Sequence, residues 1–229
     1  MAQQRPQVVI IGGGIMGGDI AIVYAANGWG VHVMSPSGRT RDALAGRVAG
    51  GLKKLGADAA LAQNVSTHAT LEEIDWSGVG MVVEAATEDL ELKQRLFSQV
   101  EALAGPDVPM ASNTSNFPIG DIGKNLQRRG RVLGLHFFMP AHLVPLVEVV
   151  SADATDPQIA QGVVDLMRKL GKAPIWVKKD VPGFVGNRIQ HAMMREALYL
   201  IDEGICDPET CGGIEHLCVE LTRHAVELC

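Results

Sequence analysis

Cysteine is nearly absent from this chain of 229 residues: Cys206, Cys211, Cys218 and Cys229 are the four it has, and none lies upstream of them. A disulfide framework for the main body is therefore excluded. Cys211, His216, Cys218 and His224 lack the spacings of a standard zinc pair, so reduced thiols in a terminal helix are expected and no metal site is assigned. Basic charge is also short. The 20 Lys and Arg face 26 Asp and Glu, giving a net charge of −6, and a nucleic-acid surface would need clustered cations. No apolar run reaches membrane-spanning length, and Met1–Gln7 lacks the apolar core of a signal peptide. The expectation is a soluble cytoplasmic protein with no nucleic-acid or membrane partner. Internal repeats and low-complexity tracts are missing too.

What is present is apolar residue, 47% of the chain against 20% charged. That is enough to bury a proper core, in one large domain or in one domain plus part of a second. The most informative stretch comes early. Val8-Val9-Ile10-Ile11 runs straight into Gly12-x-Gly14-x-x-Gly17, and an apolar helical pattern follows at once. Strand, tight turn and helix in that order are the setting in which a glycine triplet binds a dinucleotide. Gly12 permits the turn, Gly14 lets the backbone approach a pyrophosphate, and Gly17 lets helix and strand pack closely. The backbone N–H groups of the first helical turn, at the positive end of the helix dipole, are the phosphate donors.

The rest alternates. Val31–Met34, Val65–His68, Met81–Ala85, Met110–Ser112, Val132–His136, Leu146–Val150 and Ala173–Val177 read as strands, with helices between most of them. This is an α/β chain with a Rossmann-type, doubly wound and mostly parallel sheet. On the helix after Ala85 the apolar stripe is Leu92, Leu96, Val100 and Leu103, with the charges expected on the other face. Asp180-Val181-Pro182-Gly183 breaks the pattern and marks a boundary: residues 1–182 form the NAD(P)-binding domain and 183–229 a partial helical one. A helix from about Val185 to Glu203 opens the second part. Its apolar stripe needs a cover, either the sheet domain or a second chain, so a homodimer is one expectation.

Three motifs follow strands, where ligands bind in open α/β sheets. They are Ser112-Asn113-Thr114-Ser115, His136-Phe137-Phe138-Met139-Pro140 leading to Glu148, and Gly183-Phe184-Val185-Gly186-Asn187-Arg188. A histidine can take a hydroxyl proton while hydride leaves the same carbon. A carboxylate on its other ring nitrogen would fix the tautomer and steady the imidazolium. A serine hydroxyl and an asparagine amide can hold the oxygen that becomes a carbonyl.

Together these motifs resemble the L-3-hydroxyacyl-CoA dehydrogenase family and its relatives acting on other β-hydroxy acids, over about residues 7–204. The resemblance rests on Gly12-x-Gly14-x-Met16-Gly17, Glu84-Ala85-x-x-Glu88 with Lys93, Ser112–Ser115, His136-Phe137-Phe138-x-Pro140 with Glu148, and Asp180-x-Pro182-Gly183-Phe184 with Asn187-Arg188. It implies that His136 is the base and Glu148 its partner. It also implies that Ser115 binds the substrate oxygen and that Asn187 helps to position the substrate. On the cofactor side it implies Gly12, Gly14, Ile15, Met16 and Gly17 at the pyrophosphate, Glu88 and Lys93 at the nicotinamide ribose, and Asn113 lining the same pocket. His142 and His191 fall on no motif position and are read as structural.

Four features depart from the family pattern. Ser35 stands where the adenosine ribose is usually held by an acid. With Ser37, Arg39, Thr40 and Arg41 behind it, NADP is left open beside NAD, unless the arginines are simply the solvated start of a helix. Met139 replaces the usual asparagine and removes a polar group from the substrate pocket. Gly56–Gln63 is a short link where acyl-CoA members carry a longer basic arm, and Arg47, Lys53 and Lys54 are what remains of that charge. The small-molecule substrate is accordingly an acyl-CoA or a smaller β-hydroxy acid of carnitine or gulonate type. Finally, the sequence from Cys211 onward leaves the family pattern, which reads as a truncated or altered helical domain with impaired catalysis as one consequence.

Overall fold

The structure is a computed structural model, and it describes residues 5–209. The chain divides after Pro182 into two compact units.

The first unit is built on one sheet of eight strands: β1 (Gln7–Ile11), β2 (Gly30–Met34), β3 (Val65–His68), β4 (Val79–Glu84), β5 (Met110–Ser112), β6 (Val132–Phe137), β7 (Leu146–Ser151) and β8 (Ala173–Val177). Their spatial order is β3-β2-β1-β4-β5-β6-β7-β8, so the first six follow the 3-2-1-4-5-6 order of a doubly wound dinucleotide-binding sheet. The central strands are apolar on both faces because helices cover both. Val8, Val9, Ile10, Met81, Val83, Ala111, Leu133 and Leu135 are all buried.

Helix α1 (Ile15–Ala26) is buried at every position from Gly17 to Ala25. A helix that is apolar all round must be covered on all sides, and α2 (Gly38–Lys54) supplies part of that cover. Each fully buried Ile, Val or Leu contributes roughly 1.5–3 kcal/mol to such a core. Helix α3 (Leu90–Leu103) is capped by the Asp89 carboxylate, which accepts from the Leu92 N–H at 2.7 Å. A short α4 (Ile119–Ile122) and α5 (Pro157–Lys169), which starts with Asp156 as cap and proline at its first position, complete the unit.

The sheet has one reversal, and it matters for the site. β7 runs antiparallel to β6, and β8 is parallel to β7. The C-terminal end of β8 therefore lies at the edge of the sheet opposite to the ends of β1, β4, β5 and β6. The Gly183–Arg188 motif, expected at a strand end, begins beyond β8 and belongs to the second unit.

The second unit begins at Gly183 and carries α6 (Gly186–Asp202), on which Ile189, Leu198 and Tyr199 are exposed apolar side chains. The zinc candidates Cys211, His216, Cys218 and His224 lie outside the described residues. Cys206 is a free thiol. Among the described residues, no group of three or more His, Cys, Asp or Glu is arranged to hold a metal ion, and no helix is long and apolar enough to cross a membrane.

Candidate active site

Parallel strands bring the ends of β1, β4, β5 and β6 to one edge, and most of the expected site residues gather there. At the end of β1 the chain turns through Gly12, whose φ of +107° only glycine adopts without strain. A Cβ at Gly17 would lie 1.7 Å from the Gly12 carbonyl oxygen, so strand and helix touch backbone to backbone. Gly14 is different. Nothing lies within 4 Å of a Cβ built there, and no side chain or acidic residue caps the first turn of α1. The loop is packed tightly on its inner side and open at the N–H groups of the helix start, which fits the pyrophosphate of a dinucleotide. Ile15 is exposed and Met16 half-buried beside it.

Ser35, just past β2, is buried against the loop: a Cβ on Gly13 would meet its side chain at 3.3 Å. Its N–H donates to the His68 carbonyl at 2.9 Å, and its own carbonyl accepts from Arg41 at 2.6 Å. Arg41 is thus turned back onto the end of the strand rather than solvated. Ser37 caps α2 through the Thr40 N–H, and Arg39 is exposed.

The β4–β7 end of this edge is built from side chains. Glu84 ends β4 fully buried, and its carboxylate accepts from Lys93 Nζ at 2.9 and 3.0 Å, Ser112 Oγ at 2.6 Å and the Ala86 N–H at 2.6 Å. Lys93 is 1% exposed and also reaches Glu88 at 3.1 Å. One sequence expectation is corrected here. The charges of this helix were expected on the face away from the apolar stripe, but Lys93 points into the protein with Leu96, Phe97 and Val100 because two carboxylates offset the cost of burying its ammonium. With three carboxylate oxygens around it, Lys93 holds Glu88 in place.

Glu88, a third exposed, accepts from Thr114 Oγ1 and from the N–H groups of Ser115 (3.2 Å) and Asn116 (3.3 Å). Burial alone would raise its carboxyl, but the Thr114 hydroxyl, Lys93 and the Asn116 N–H outweigh burial and hold it below the ordinary carboxylate value. Asn113 joins β5 to β6, its N–H donating to the Glu84 carbonyl and its side-chain oxygen accepting from the Phe137 N–H. The loop Ser112–Asn116 is thereby fixed on both sides.

That loop places Ser115 against His136. Ser115 Oγ lies 3.0 Å from His136 Nε2, and His136 Nδ1 lies 2.6 Å from Glu148 Oε2. The second contact follows from sheet register: in the antiparallel β6–β7 pair, His136 stands directly opposite Glu148. Both are buried, His136 at 4% exposure and Glu148 at 0%, and the Phe138 ring packs on the imidazole at 4.7 Å. A carboxylate accepting from Nδ1–H leaves Nε2 as the basic nitrogen, aimed at a serine hydroxyl. Asn187 belongs to the second unit, in the first turn of α6, where it is half-buried.

Residues 7–181 match the family model for the 3-hydroxyacyl-CoA dehydrogenase NAD-binding domain. The chain belongs to the 3-hydroxyacyl-CoA dehydrogenase family. Its first unit is an NAD-binding domain of that family, and the dinucleotide is NAD. Among curated relatives, a probable 3-hydroxybutyryl-CoA dehydrogenase of Deinococcus radiodurans is 36% identical over 213 residues, covering 91% of this chain and 76% of the relative. A 5-formyl-3-hydroxy-2-methylpyridine 4-carboxylate 5-dehydrogenase of Mesorhizobium japonicum is 38% identical over 133 residues, covering 58% of this chain and 43% of the relative. The chain thus spans less than half the length of that enzyme. The crystal structure of a dehydrogenase of the same name, described as an NAD+ dependent dismutase, superposes with a TM-score of 0.82 at 30% identity, covering 96% of this chain and 72% of that one.

Sequence reasoning missed the Glu84–Ser112–Lys93 cluster as a support. Spacing held a signal, since Lys93 sits three, four and seven residues before Leu96, Phe97 and Val100, on the stripe that faces the core.

Proposed function

We propose that this 3-hydroxyacyl-CoA dehydrogenase family member interconverts an L-3-hydroxyacyl-CoA and its 3-ketoacyl-CoA. The observation that carries this reading is the hydrogen-bonded line Ser115–His136–Glu148. In the oxidative direction, the substrate hydroxyl lies where Ser115 Oγ and His136 Nε2 both reach it. Nε2 takes the hydroxyl proton, the C3–H electron pair leaves as hydride, and the carbon–oxygen double bond forms. Glu148 steadies the resulting imidazolium through Nδ1–H, and Ser115 donates to the new carbonyl oxygen. The chemistry that NAD supplies when bound is hydride acceptance at its nicotinamide. Glu88 is the member of its trio with solvent access and takes the ribose hydroxyls, and Asn113 lines the same pocket. Asn187 positions the substrate. The setting we propose is a cytoplasmic homodimer in fatty acid metabolism.

A second reading keeps this chemistry on a β-hydroxy acid without CoA. It is favoured by Met139, 67% exposed where family members carry asparagine, and by the short 3₁₀ helix Ala59–Asn64 after α2, where acyl-CoA members carry a longer basic arm. A steady-state comparison of 3-hydroxybutyryl-CoA with carnitine, gulonate and free 3-hydroxybutyrate, each with NAD and NADP, separates the two. The first reading predicts the highest kcat/KM for the thioester with NAD. A free acid turned over at least as well would replace it with the second.

A further inference from the structure

Arg47 was read from the sequence as a remnant of surface basic charge. The structure turns it the other way. From α2 its guanidinium reaches the start of α1, where Nη1 donates to the Gly14 carbonyl at 2.9 Å and Nη2 to the Ile15 carbonyl and to Asp19 Oδ1 at 3.3 Å. The seat is built for it. A Cβ at Gly18 would lie 2.5–2.8 Å from the guanidinium atoms, so a glycine is needed for Arg47 to lie on the helix. Asp19 is 6% exposed, and its carboxylate also faces His142 Nδ1 at 3.5 Å, on the segment that follows β6.

Peptide planarity makes these contacts relevant to the ligand. The Gly14 carbonyl shares a rigid plane with the Ile15 N–H, and the Ile15 carbonyl shares one with the Met16 N–H. Holding the two oxygens fixes the direction of the two N–H groups that open the pyrophosphate site. A cation on the oxygen side also polarises both amides, making the N–H groups stronger donors. The buried Asp19 carboxylate keeps the guanidinium on the carbonyls rather than letting it swing to the phosphates.

We propose that Arg47, seated on Gly18 and held by Asp19, is a positioning residue for the dinucleotide: it orients and polarises the Ile15 and Met16 amides from behind without touching the ligand. This rests on the reading of Gly12–Gly17 as the pyrophosphate loop. The test measures dissociation constants of NADH, ADP-ribose and adenosine by NADH fluorescence and competition, for the wild type, Arg47→Ala and Arg47→Lys, with thermal melts and steady-state KM and kcat alongside.

Arg47→Ala is expected to weaken NADH and ADP-ribose about tenfold, the size of one charge-assisted hydrogen bond. Adenosine affinity should stay unchanged, KM for NAD should rise in parallel, and kcat at saturating NAD should be kept. Arg47→Lys, which can hold one carbonyl but not fork across two, should fall between. Equal weakening of all three ligands would mean general damage to the domain and would overturn the proposal. So would unchanged NADH affinity with a raised KM for an acyl-CoA, which would return Arg47 to a surface role. A wild-type protein that binds no NADH would overturn the pyrophosphate reading itself and this role with it.

Discussion

The two ends of the site are made of different material. At the β1–α1 end the working groups are backbone amides, and glycines make them available: Gly12 by its φ of +107°, Gly17 by letting helix and strand touch, Gly14 by leaving its outer side open. At the β4–β7 end the working groups are side chains, and buried polar contacts fix them: Glu84 with Lys93 and Ser112, Glu88 with the Thr114–Asn116 loop, Ser115 with His136, His136 with Glu148. A backbone site tolerates changes in side chains but no Cβ at Gly12 or Gly17. A side-chain site tolerates changes in volume poorly and changes in charge least.

The difference can be broken deliberately. The largest effect is expected at the catalytic end: His136→Ala should lower kcat by about 10²–10⁴-fold while NADH affinity, set at the other end, is kept. Steady-state kinetics with NADH fluorescence titration checks both halves of that statement. Next comes Lys93→Met, which leaves the buried carboxylate of Glu84 without its cation. Breaking a buried pair from one side costs about 3–5 kcal/mol, read as a lower urea midpoint, and the loop holding Ser115 should loosen with it. Gly17→Ala acts at the backbone end. Overpacking should cost about 1–3 kcal/mol, and because the strain falls on the loop itself, NADH affinity should drop while any residual kcat at saturation is retained.

The smallest effect lies at the outer strands. His32 Nδ1 and His68 Nε2 are 3.1 Å apart with Ser66 Oγ touching both. Burial lowers the pKa of both rings, and the charge of His68 lowers that of His32 further, against smaller opposing pulls from Asp75 on His32 and Glu73 on His68. A histidine with a lowered folded pKa binds fewer protons folded than unfolded. Its contribution is therefore present above the ordinary value of 6.5 and fades as pH falls through it toward the folded value. Melting temperature should drop more between pH 7 and pH 5.5 in the wild type than in His32→Gln, and an equal drop would remove the pair as the cause.

The same contrast explains what could be read from the sequence. The glycine loop, the strands and the alternation with helices were legible because they rest on local rules: glycine spacing, apolar runs and caps. The pairing of Ser115, His136 and Glu148 was legible through the family resemblance, since no spacing along the chain says that residues 21 and 12 positions from His136 will meet its two ring nitrogens. Register across β5, β6 and β7 decides that. The β6–β7 reversal went unread although a cue existed: the stretch 138–145 is too short for the crossover that parallel strands need. Lys93 and Arg47 were misplaced for one shared reason. Charges at helical spacing usually face solvent, and what turns these two inward lies outside their own helices, the Glu84 carboxylate for one and the bare surface of Gly18 for the other.

The most direct test of the account measures binding and chemistry in one sample: NADH affinity by fluorescence and NADH oxidation with 3-ketobutyryl-CoA, on the wild-type protein. Both are expected: saturable NADH binding, and turnover that follows its occupancy. Tight NADH binding with no turnover of the thioester or of any free β-keto acid would contradict it, leaving a dinucleotide-binding domain without a working catalytic end.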